Sequence, residues 1–250
     1  MRQYFLQLKY SKTKIRKIGK KISRRLIAES KYLTEPNFEQ ISRKDVAGMF
    51  WLYDEIFFNN FFKNNFENKI GFRLSNRMTR IGGKTTMRMA RGKISYEICL
   101  SSELLFQTFD DVKRKVEVNG IVCFNRLEAA MRIMEHEIIH LLEMVLFGDS
   151  SCSAPRFKGI VKNIFGHTDV THKLVTQRER AFKKLGLKVG DRVRFSYDEK
   201  YLKGIIYRIT KRATVMVQDG KGTYIDKKGN RYSKYYIPLE LLSPAVPSCG

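Results

Sequence analysis

The segment that most constrains the fold of this chain is His136-Glu137-Ile138-Ile139-His140, which lies in a run of large apolar residues typical of a buried helix. Residues four apart share a helix face, so both imidazoles can reach one metal ion. Glu137 stands about 100° further round the helix, where it can hold a water without occupying the metal. Because such groups are costly to bury unless something binds them, the motif predicts a zinc hydrolase site. His136 and His140 are its expected ligands and Glu137 its catalytic residue.

The chain is also strongly basic. Among its 250 residues, 48 Lys and Arg stand against 25 Asp and Glu, which gives a formal net charge of +23 at pH 7. Such an excess predicts a polyanionic partner, with nucleic acid as the first candidate and an anionic membrane surface as the second.

The cysteines and the hydropathy pattern indicate where the protein resides. Cys99, Cys123, Cys152 and Cys249 lie far apart and form no C-x-x-C pair, which indicates a reducing compartment without a disulfide framework or a zinc ribbon. No apolar run has the length of a membrane span, and the N-terminus lacks the apolar core of a signal peptide. We therefore expect a soluble, cytoplasmic protein with no transmembrane segment.

Residues 1–42 are predicted to form a basic N-terminal arm. The first 31 residues contain eleven Lys or Arg and a single acid, Glu29. Apolar residues recur at helical spacing at Ile15, Ile18, Ile22 and Leu26, so an amphipathic helix with a basic face is expected. This helix is suited to a phosphate backbone, while a membrane-surface or organelle-targeting role is the alternative.

Residues 43–180 are predicted to form one α+β unit. Apolar and aromatic residues at helical spacing predict a core helix over 45–62, followed by strands over 70–75, 79–90 and 94–100. Two further helices are expected, a metal-binding helix over 127–147 and a shorter one over 155–165. Gly82-Gly83 is expected to form a turn, and Gly166 is expected to end the shorter helix.

Residues 187–243 are predicted to form a small antiparallel barrel of about five strands, which resembles an SH3-like or Tudor-like barrel. Apolar residues alternate with polar ones and glycines punctuate the segment. Its tyrosines are interleaved with cations, an arrangement suited to stacking on bases and pairing with phosphates. Lys211, Arg212 and Lys234 are the candidate nucleic-acid-binding residues. The alternative is a structural barrel whose tyrosines mostly pack.

The middle region resembles the SprT-like, or Spartan-related, family of zinc metalloproteases. The resemblance runs in chain order through four segments and covers about half of the chain. These segments are Leu52-Tyr53-Asp54-Glu55-Ile56-Phe57-Phe58, Arg77-Met78-Thr79-Arg80 with Gly82-Gly83, Tyr96-Glu97-Ile98-Cys99-Leu100-Ser101 and His136-Glu137-Ile138-Ile139-His140.

The resemblance implies a zincin-like fold and a Zn²⁺-dependent peptidase. Several members of the family act on proteins bound or crosslinked to DNA, which implies a role in DNA repair and favours DNA as the nucleic acid. One position departs from the family pattern. The third histidine ligand of the family stands four residues before an aromatic, which corresponds here to Phe157, and Ser153 occupies that position.

Because serine is a poor zinc ligand, the third ligand is expected from another residue. His167 is the first candidate on chemical grounds, although the 155–165 helix must then run back toward the metal. Cys152 lies beside the serine position and would give a His₂Cys site. Glu143 shares the histidine face but is better placed to orient a ligand than to be one. His172 is the remaining candidate.

Two functions follow from these features. The first is a zinc metalloendopeptidase that takes a protein or peptide substrate, with Glu137 as the general base and His136, His140 and His167 as ligands. An edge of the small sheet, expected at 94–100, would align an extended substrate. The second is a non-catalytic nucleic-acid-binding protein with a degenerate zincin domain.

Overall fold

The computed structural model describes residues 1–245 and divides the chain into two compact units, with the boundary between Leu174 and Val175. Its architecture is mixed α+β, as the sequence predicts. Within the described residues, no helix is long and apolar enough to cross a membrane. Cys99, Cys123 and Cys152 are free thiols, and Cys249 lies outside the described residues.

The first unit combines helices with two small sheets. Its helices are α1 (Arg2–Gln7), α2 (Lys12–Glu29), α3 (Arg43–Phe58), α4 (Phe61–Phe66), α5 (Ser102–Gln107), α6 (Arg126–Phe147) and α7 (Pro155–Phe165). Its strands are β1 (Ile70–Ser75), β2 (Gly83–Ala90), β3 (Lys93–Ser101), β4 (Val116–Val118), β5 (Ile121–Cys123) and β6 (His172–Lys173). The predicted helix at 155–165 and its end at Gly166, which has a φ of 73°, are both confirmed.

The basic N-terminal segment is part of this unit and is not a separate arm. Its predicted amphipathic helix is α2, which packs against α3. Ile18, Ile22 and Leu26 are buried in the same core as α6. The apolar stripe therefore holds α2 on the protein and leaves its basic face toward solvent.

The helix predicted over 45–62 is interrupted. Asn59 and Asn60 both adopt left-handed backbone angles, with φ of 52° and 57°, and separate α3 from α4. The carboxylate of Asp54 accepts hydrogen bonds from the backbone N–H groups of Phe62 and Lys63 at 2.9 and 2.8 Å. Asp54 thus caps the start of α4, and such capping favours the break.

The larger sheet of the first unit has the order β1-β3-β2, with β1 parallel and β2 antiparallel to β3. The expectation that 94–100 forms a free edge is therefore wrong, because β3 is the central strand. The edge strand that packs on α6 is β2. Gly82-Gly83 is not a turn either, since Gly83 begins β2 and the carbonyl of Gly82 accepts from the N–H of Ser101 at 2.7 Å.

Helix α6 runs through the core of the unit. Asn125 caps its first turn by accepting from the N–H of Glu128, and Gly148, with a φ of 84°, ends it. The helix contacts β2, β3, α3 and α7. Beside it, the second small sheet has the order β5-β4-β6, in which His172 is paired with Val118.

The second unit is one helix followed by an antiparallel sheet. The helix α8 (Gln177–Leu185) precedes β7 (Arg192–Tyr197), β8 (Lys200–Ile209), β9 (Ala213–Gln218), β10 (Tyr224–Ile225), β11 (Arg231–Ile237) and β12 (Ser243–Pro244). The strand order is β10-β11-β9-β8-β7-β12, and no pairing within residues 175–245 closes this sheet into a barrel. The unit has its own core, which includes Val193, Phe195, Ile206 and Val215.

Candidate metal centre

The two motif histidines meet on one face of α6. The Nε2 atoms of His136 and His140 lie 3.0 Å apart, and His136 is buried. The ring of Phe157 from α7 lies against both imidazoles, with centroid distances of 4.9 and 4.5 Å. Two nitrogens bound to tetrahedral zinc at about 2.1 Å stand roughly 3.4 Å apart. The separation of the two nitrogens is thus near the one that a shared zinc ion requires.

Glu137 is held on the strand side of the same helix. The side-chain hydroxyl of Thr85, on β2, donates to Oε2 of Glu137 at 2.7 Å. A Cβ atom placed on Gly83 would lie 2.6 Å from Oε1, so a larger residue would collide with the carboxylate there. The absence of a side chain at Gly83 is what allows β2 to approach α6 this closely.

Burial of these groups sets their ionisation. Burial raises the pKa of Glu137 to about 7 and outweighs the hydrogen bond from the Thr85 hydroxyl, which stabilises the carboxylate and lowers the pKa. Burial, together with the neighbouring histidines, lowers the pKa of His136 to about 2, and burial lowers that of His140 to about 4. The imidazoles are therefore neutral at physiological pH, which is the form that binds metal.

Two overlapping groups of donor atoms surround His136, and within each group the atoms lie within 4.8 Å of one another. The first contains His136, His140 and Cys152. The second contains His136, Glu137 and His172. Nε2 of His172 is buried and has no hydrogen-bond partner among residues 1–245, and burial lowers the pKa of His172 to about 4. An orphaned buried nitrogen beside two other imidazoles fits a nearby cation.

His167, the first candidate for the third ligand, is not in either group. Its Nε2 atom lies 2.7 Å from Oε2 of Glu135, and both side chains are fully buried. Glu135 also accepts from the hydroxyl of Tyr53 and from the guanidinium of Arg132. Helix α7 brings His167 back to the neighbourhood of α6 but to a different face, because Glu135 and His136 point in directions about 100° apart.

Glu143 acts on the site through another residue. Its Oε2 atom accepts from the hydroxyl of Ser150 at 2.7 Å, and Ser150 Oγ lies 2.7 Å from Nδ1 of His140. Arg156 donates to the other carboxylate oxygen of Glu143 at 2.7 Å. This chain of contacts orients the His140 ring and directs its Nε2 toward His136. Ser153, where the resemblance implies a histidine, contacts Ser151 at the surface.

The site opens into a cleft of about 520 Å³ bordered by the edge strand. The donors His136, His140, Cys152 and His172 line one side of it, together with Glu137. Residues at and beside the start of β2 line the other side, namely Arg80, Ile81, Gly83, Lys84 and Thr85. The cleft thus joins the candidate metal ligands to a strand edge.

The β2 edge has backbone groups available for pairing. The N–H of Ser101 donates to the carbonyl of Gly82, so these two residues face each other as a hydrogen-bonded pair. Such pairs alternate along an antiparallel ladder. The backbone N–H and C=O groups of Gly83, Thr85 and Met87 therefore point away from β3. The N–H of Thr85 is directed at the carboxylate of Glu137, which leaves the groups of Gly83 and Met87 toward the outer edge of β2.

Three residues of the site escape sequence reasoning or are ranked too low by it. Thr85 and Ser150 act through side chains that meet α6 only in the folded chain. His172 is 32 positions beyond His140 and lies in a two-residue strand, which has no helical or alternating pattern. A histidine near the end of an otherwise polar segment is the only local signal for His172.

The second unit holds the other predicted site residues. Lys211 and Arg212 are exposed in the turn between β8 and β9, and Lys234 lies on β11. The ammonium of Lys234 stands 3.6 Å from the ring centroid of Tyr224.

Comparison with known proteins gives no match: no protein-family model, no curated protein and no solved structure is similar to this chain.

Proposed function

We propose that this protein is a zinc-dependent metalloendopeptidase of the SprT-like type. The observation that carries the proposal is that the Nε2 atoms of His136 and His140 lie 3.0 Å apart beside the carboxylate of Glu137. That carboxylate is hydrogen-bonded to Thr85 on β2. A zincin-like fold for the first unit and an SH3-like fold for the second are part of the same proposal.

The ligand set that we propose is His136, His140 and Cys152. It is the donor group that contains both motif histidines and leaves Glu137 outside it. Imidazole nitrogen and cysteine sulfur are preferred zinc ligands, and three protein ligands leave a position for substrate or water. His172 is the alternative third ligand, and its ring centroid lies 4.8 Å from that of His136.

In the proposed reaction, Glu137 moves the proton. A zinc ion bound at the site would supply Lewis acidity toward the scissile carbonyl and the attacking water. Glu137 takes a proton from that water and passes it to the leaving amine. A pKa near 7 suits both transfers, because the group must accept a proton and release it within one turnover.

The β2 edge is the proposed substrate-aligning element. An extended peptide can pair with the outward backbone groups of Gly83 and Met87 by strand addition. Thr85 lies between them and contacts Glu137, so a paired peptide would lie against the catalytic carboxylate.

The proposed partner is nucleic acid, with DNA favoured, and the protein substrate would be bound to it. The outer face of α2 supports this partner. Arg16, Lys17, Lys20, Lys21 and Arg24 are exposed there, and within residues 1–245 none of them forms an ion pair. Like charges one helical turn apart destabilise a helix, and a polyanion relieves that repulsion.

The test is a protease assay on a DNA-bound basic protein, with and without DNA and chelator, comparing the wild type with Glu137→Gln. We expect the variant to keep stoichiometric zinc and to lose activity by at least ~100-fold. Cleavage by a well-folded Glu137→Gln protein at the wild-type rate would reject the proposal. A protein that binds DNA tightly but lacks stoichiometric zinc would support the non-catalytic alternative.

A further inference from the structure

The sheet of the second unit exposes one face that is rich in tyrosine. Ile206, Val215, Val217 and Ile237 point into the core, so their neighbours along each strand point outward. The strand registers place these outward residues in three rows across the sheet. The first row is Arg192, Ile205, Met216 and Lys234. The second is Arg208, Thr214 and Tyr236, and the third is Gln218, Tyr232 and Tyr224. We call these residues, together with Tyr207, the tyrosine face.

Three tyrosines of this face gather around one cation. The ammonium of Lys234 lies 3.6 Å from the ring centroid of Tyr224, and the registers place Tyr236 two positions along the same strand. Tyr224, Tyr236 and Tyr207 all raise the pKa of Lys234, Tyr224 most strongly. Their exposed fractions are 65%, 43% and 60%. With strands about 4.8 Å apart, the rings spread over roughly 15 Å from β10 to β8. Tyr235, by contrast, packs inward against Phe195.

The charge of the face selects an anionic ligand. Its ionisable side chains other than tyrosine are Arg192, Arg208 and Lys234. The carboxylate that touches it is that of Asp226, which accepts from the hydroxyl of Tyr232 at 3.0 Å, so cations outnumber acids there by three to one. Ile205 and Met216 add apolar area between the cations and the rings, and Ile205 is 39% exposed. Exposed aromatic rings beside cations suit a ligand that is planar and apolar on its faces and negatively charged along its length.

We propose that the tyrosine face binds unpaired nucleotides of a single-stranded nucleic acid, with bases stacked on Tyr207, Tyr224 and Tyr236 and phosphates near Arg192, Arg208 and Lys234. Stacking of this kind accepts any base, because every base has a π-face. A duplex is excluded from this mode, since its bases already stack on one another. The inference rests on the nucleic-acid partner proposed above and does not depend on the metal site.

The test measures binding of the full-length protein to a fluorescein-labelled 15-nucleotide oligothymidylate, the same length of oligouridylate and a 15-base-pair duplex. We expect each of Tyr207→Ala, Tyr224→Ala and Tyr236→Ala to weaken single-strand binding by ~5-fold or more. Duplex binding does not use the tyrosine face, so the duplex affinity of these variants should equal that of the wild type. Tyr236→Phe keeps the ring and should bind as the wild type does.

Controls separate stacking from misfolding and from the other proposals. Tyr4→Ala removes a tyrosine of the first unit that is 57% exposed, and it should have no effect on single-strand binding. Circular dichroism checks that each variant is folded, and chelator should leave all affinities unchanged.

Several results would overturn the inference. One is that the three alanine variants bind the single strands as tightly as the wild type does. Another is binding of polyglutamate with the same dependence on the tyrosines, which would identify an acidic protein as the ligand. Wild-type protein that binds neither the single strands nor the duplex would reject the nucleic-acid partner itself.

Discussion

Thr85 donates its hydroxyl to Oε2 of Glu137 at 2.7 Å and to the backbone carbonyl of the same residue at 3.0 Å. One side chain on the edge strand therefore fixes both the carboxylate and the helix that carries it. Since β2 is also the strand proposed to align the substrate, the position of the general base and that of the scissile bond are set by the same element.

Replacing Thr85 tests this coupling. Thr85→Val keeps the shape of the side chain but removes the hydroxyl, so the carboxylate of Glu137 loses its donor. We expect stability to fall by about 1–3 kcal/mol, and kcat to fall ~10-fold or more with zinc content unchanged. Thr85→Ser, which keeps the hydroxyl, should retain most of the activity. Equal kcat values for the valine and serine variants would contradict the role of the hydroxyl.

Gly83 is predicted to tolerate no side chain. The Cβ of Gly83→Ala would meet Oε1 of Glu137 and Cγ2 of Ile133 at 2.6 Å each. Overpacking of this kind costs about 1–3 kcal/mol, and it should displace the carboxylate and lower activity. Gly48→Ala is the matched control, because Gly48 lies in α3 with nothing within 4 Å of the added atom. Denaturant titration should show Gly48→Ala to be neutral or stabilising.

The third ligand is resolved by three single substitutions. We expect Cys152→Ala to lower zinc affinity by more than the ~10–100-fold that follows removal of a residue that only orients a ligand. His167→Ala should keep zinc but lose about 2–3 kcal/mol of stability, because Glu135 loses a buried partner. Zinc competition titrations and denaturant titrations separate the two effects. A larger loss of affinity in His172→Ala than in Cys152→Ala would instead assign the third position to His172.

The metal-free protein is expected to lose stability on acidification. Unfolded imidazoles take up protons near pH 6.5, whereas His136, His140 and His172 stay neutral in the fold down to pH 4 or below. The unfolded state therefore binds more protons in this window, and the free energy of unfolding falls as pH falls. Glu137, with its raised pKa, works in the opposite direction between pH 4.5 and 7 and offsets about one imidazole.

Burial also lowers the pKa of His167, which adds to the loss. The check is a denaturant titration of the chelator-treated protein at pH 7 and pH 5, where we expect a net loss of roughly 3–5 kcal/mol. His172→Asn should show a smaller loss. A free energy of unfolding that does not change between the two pH values would mean that the three imidazoles are not held neutral by burial.

Charge removal on α2 is the appropriate test of its role, because deletion would remove core residues. We expect a chain without residues 1–31 to be unstable, since Ile22 and Leu26 are buried. Arg16→Gln, Lys20→Gln and Arg24→Gln combined should leave the fold intact. The slope of log duplex affinity against log salt should become shallower by up to ~2.7, at ~0.9 per phosphate contact.

Arg25→Gln is the control for this surface, because Arg25 already pairs with Glu29 and Glu55. It should change the salt slope little. An unchanged slope in the triple variant would show that α2 does not contact the phosphates.

The helix that carries the histidine motif could be predicted from sequence because its determinants are local. The spacing of His136 and His140 places them on one face of any helix, and the left-handed glycine at Gly148 ends that helix whatever packs around it. The same holds for the helix that ends at Gly166. The break of the first core helix at Asn59 was not predicted, because it is favoured by hydrogen bonds that Asp54 makes to the following turn.

The amino-acid sequence by itself determined the motif pair, the carboxylate between them, the amphipathic α2 and the alternating strands of the second unit. Tertiary structure alone decided that α2 lies on the core, that β2 is the free edge, and that Cys152 and His172 approach the histidines while His167 turns to Glu135. The physical reason is the distance along the chain over which each feature is determined. Helix faces and strand alternation repeat within a few residues, whereas a ligand that arrives from a loop or a two-residue strand depends on how distant segments pack.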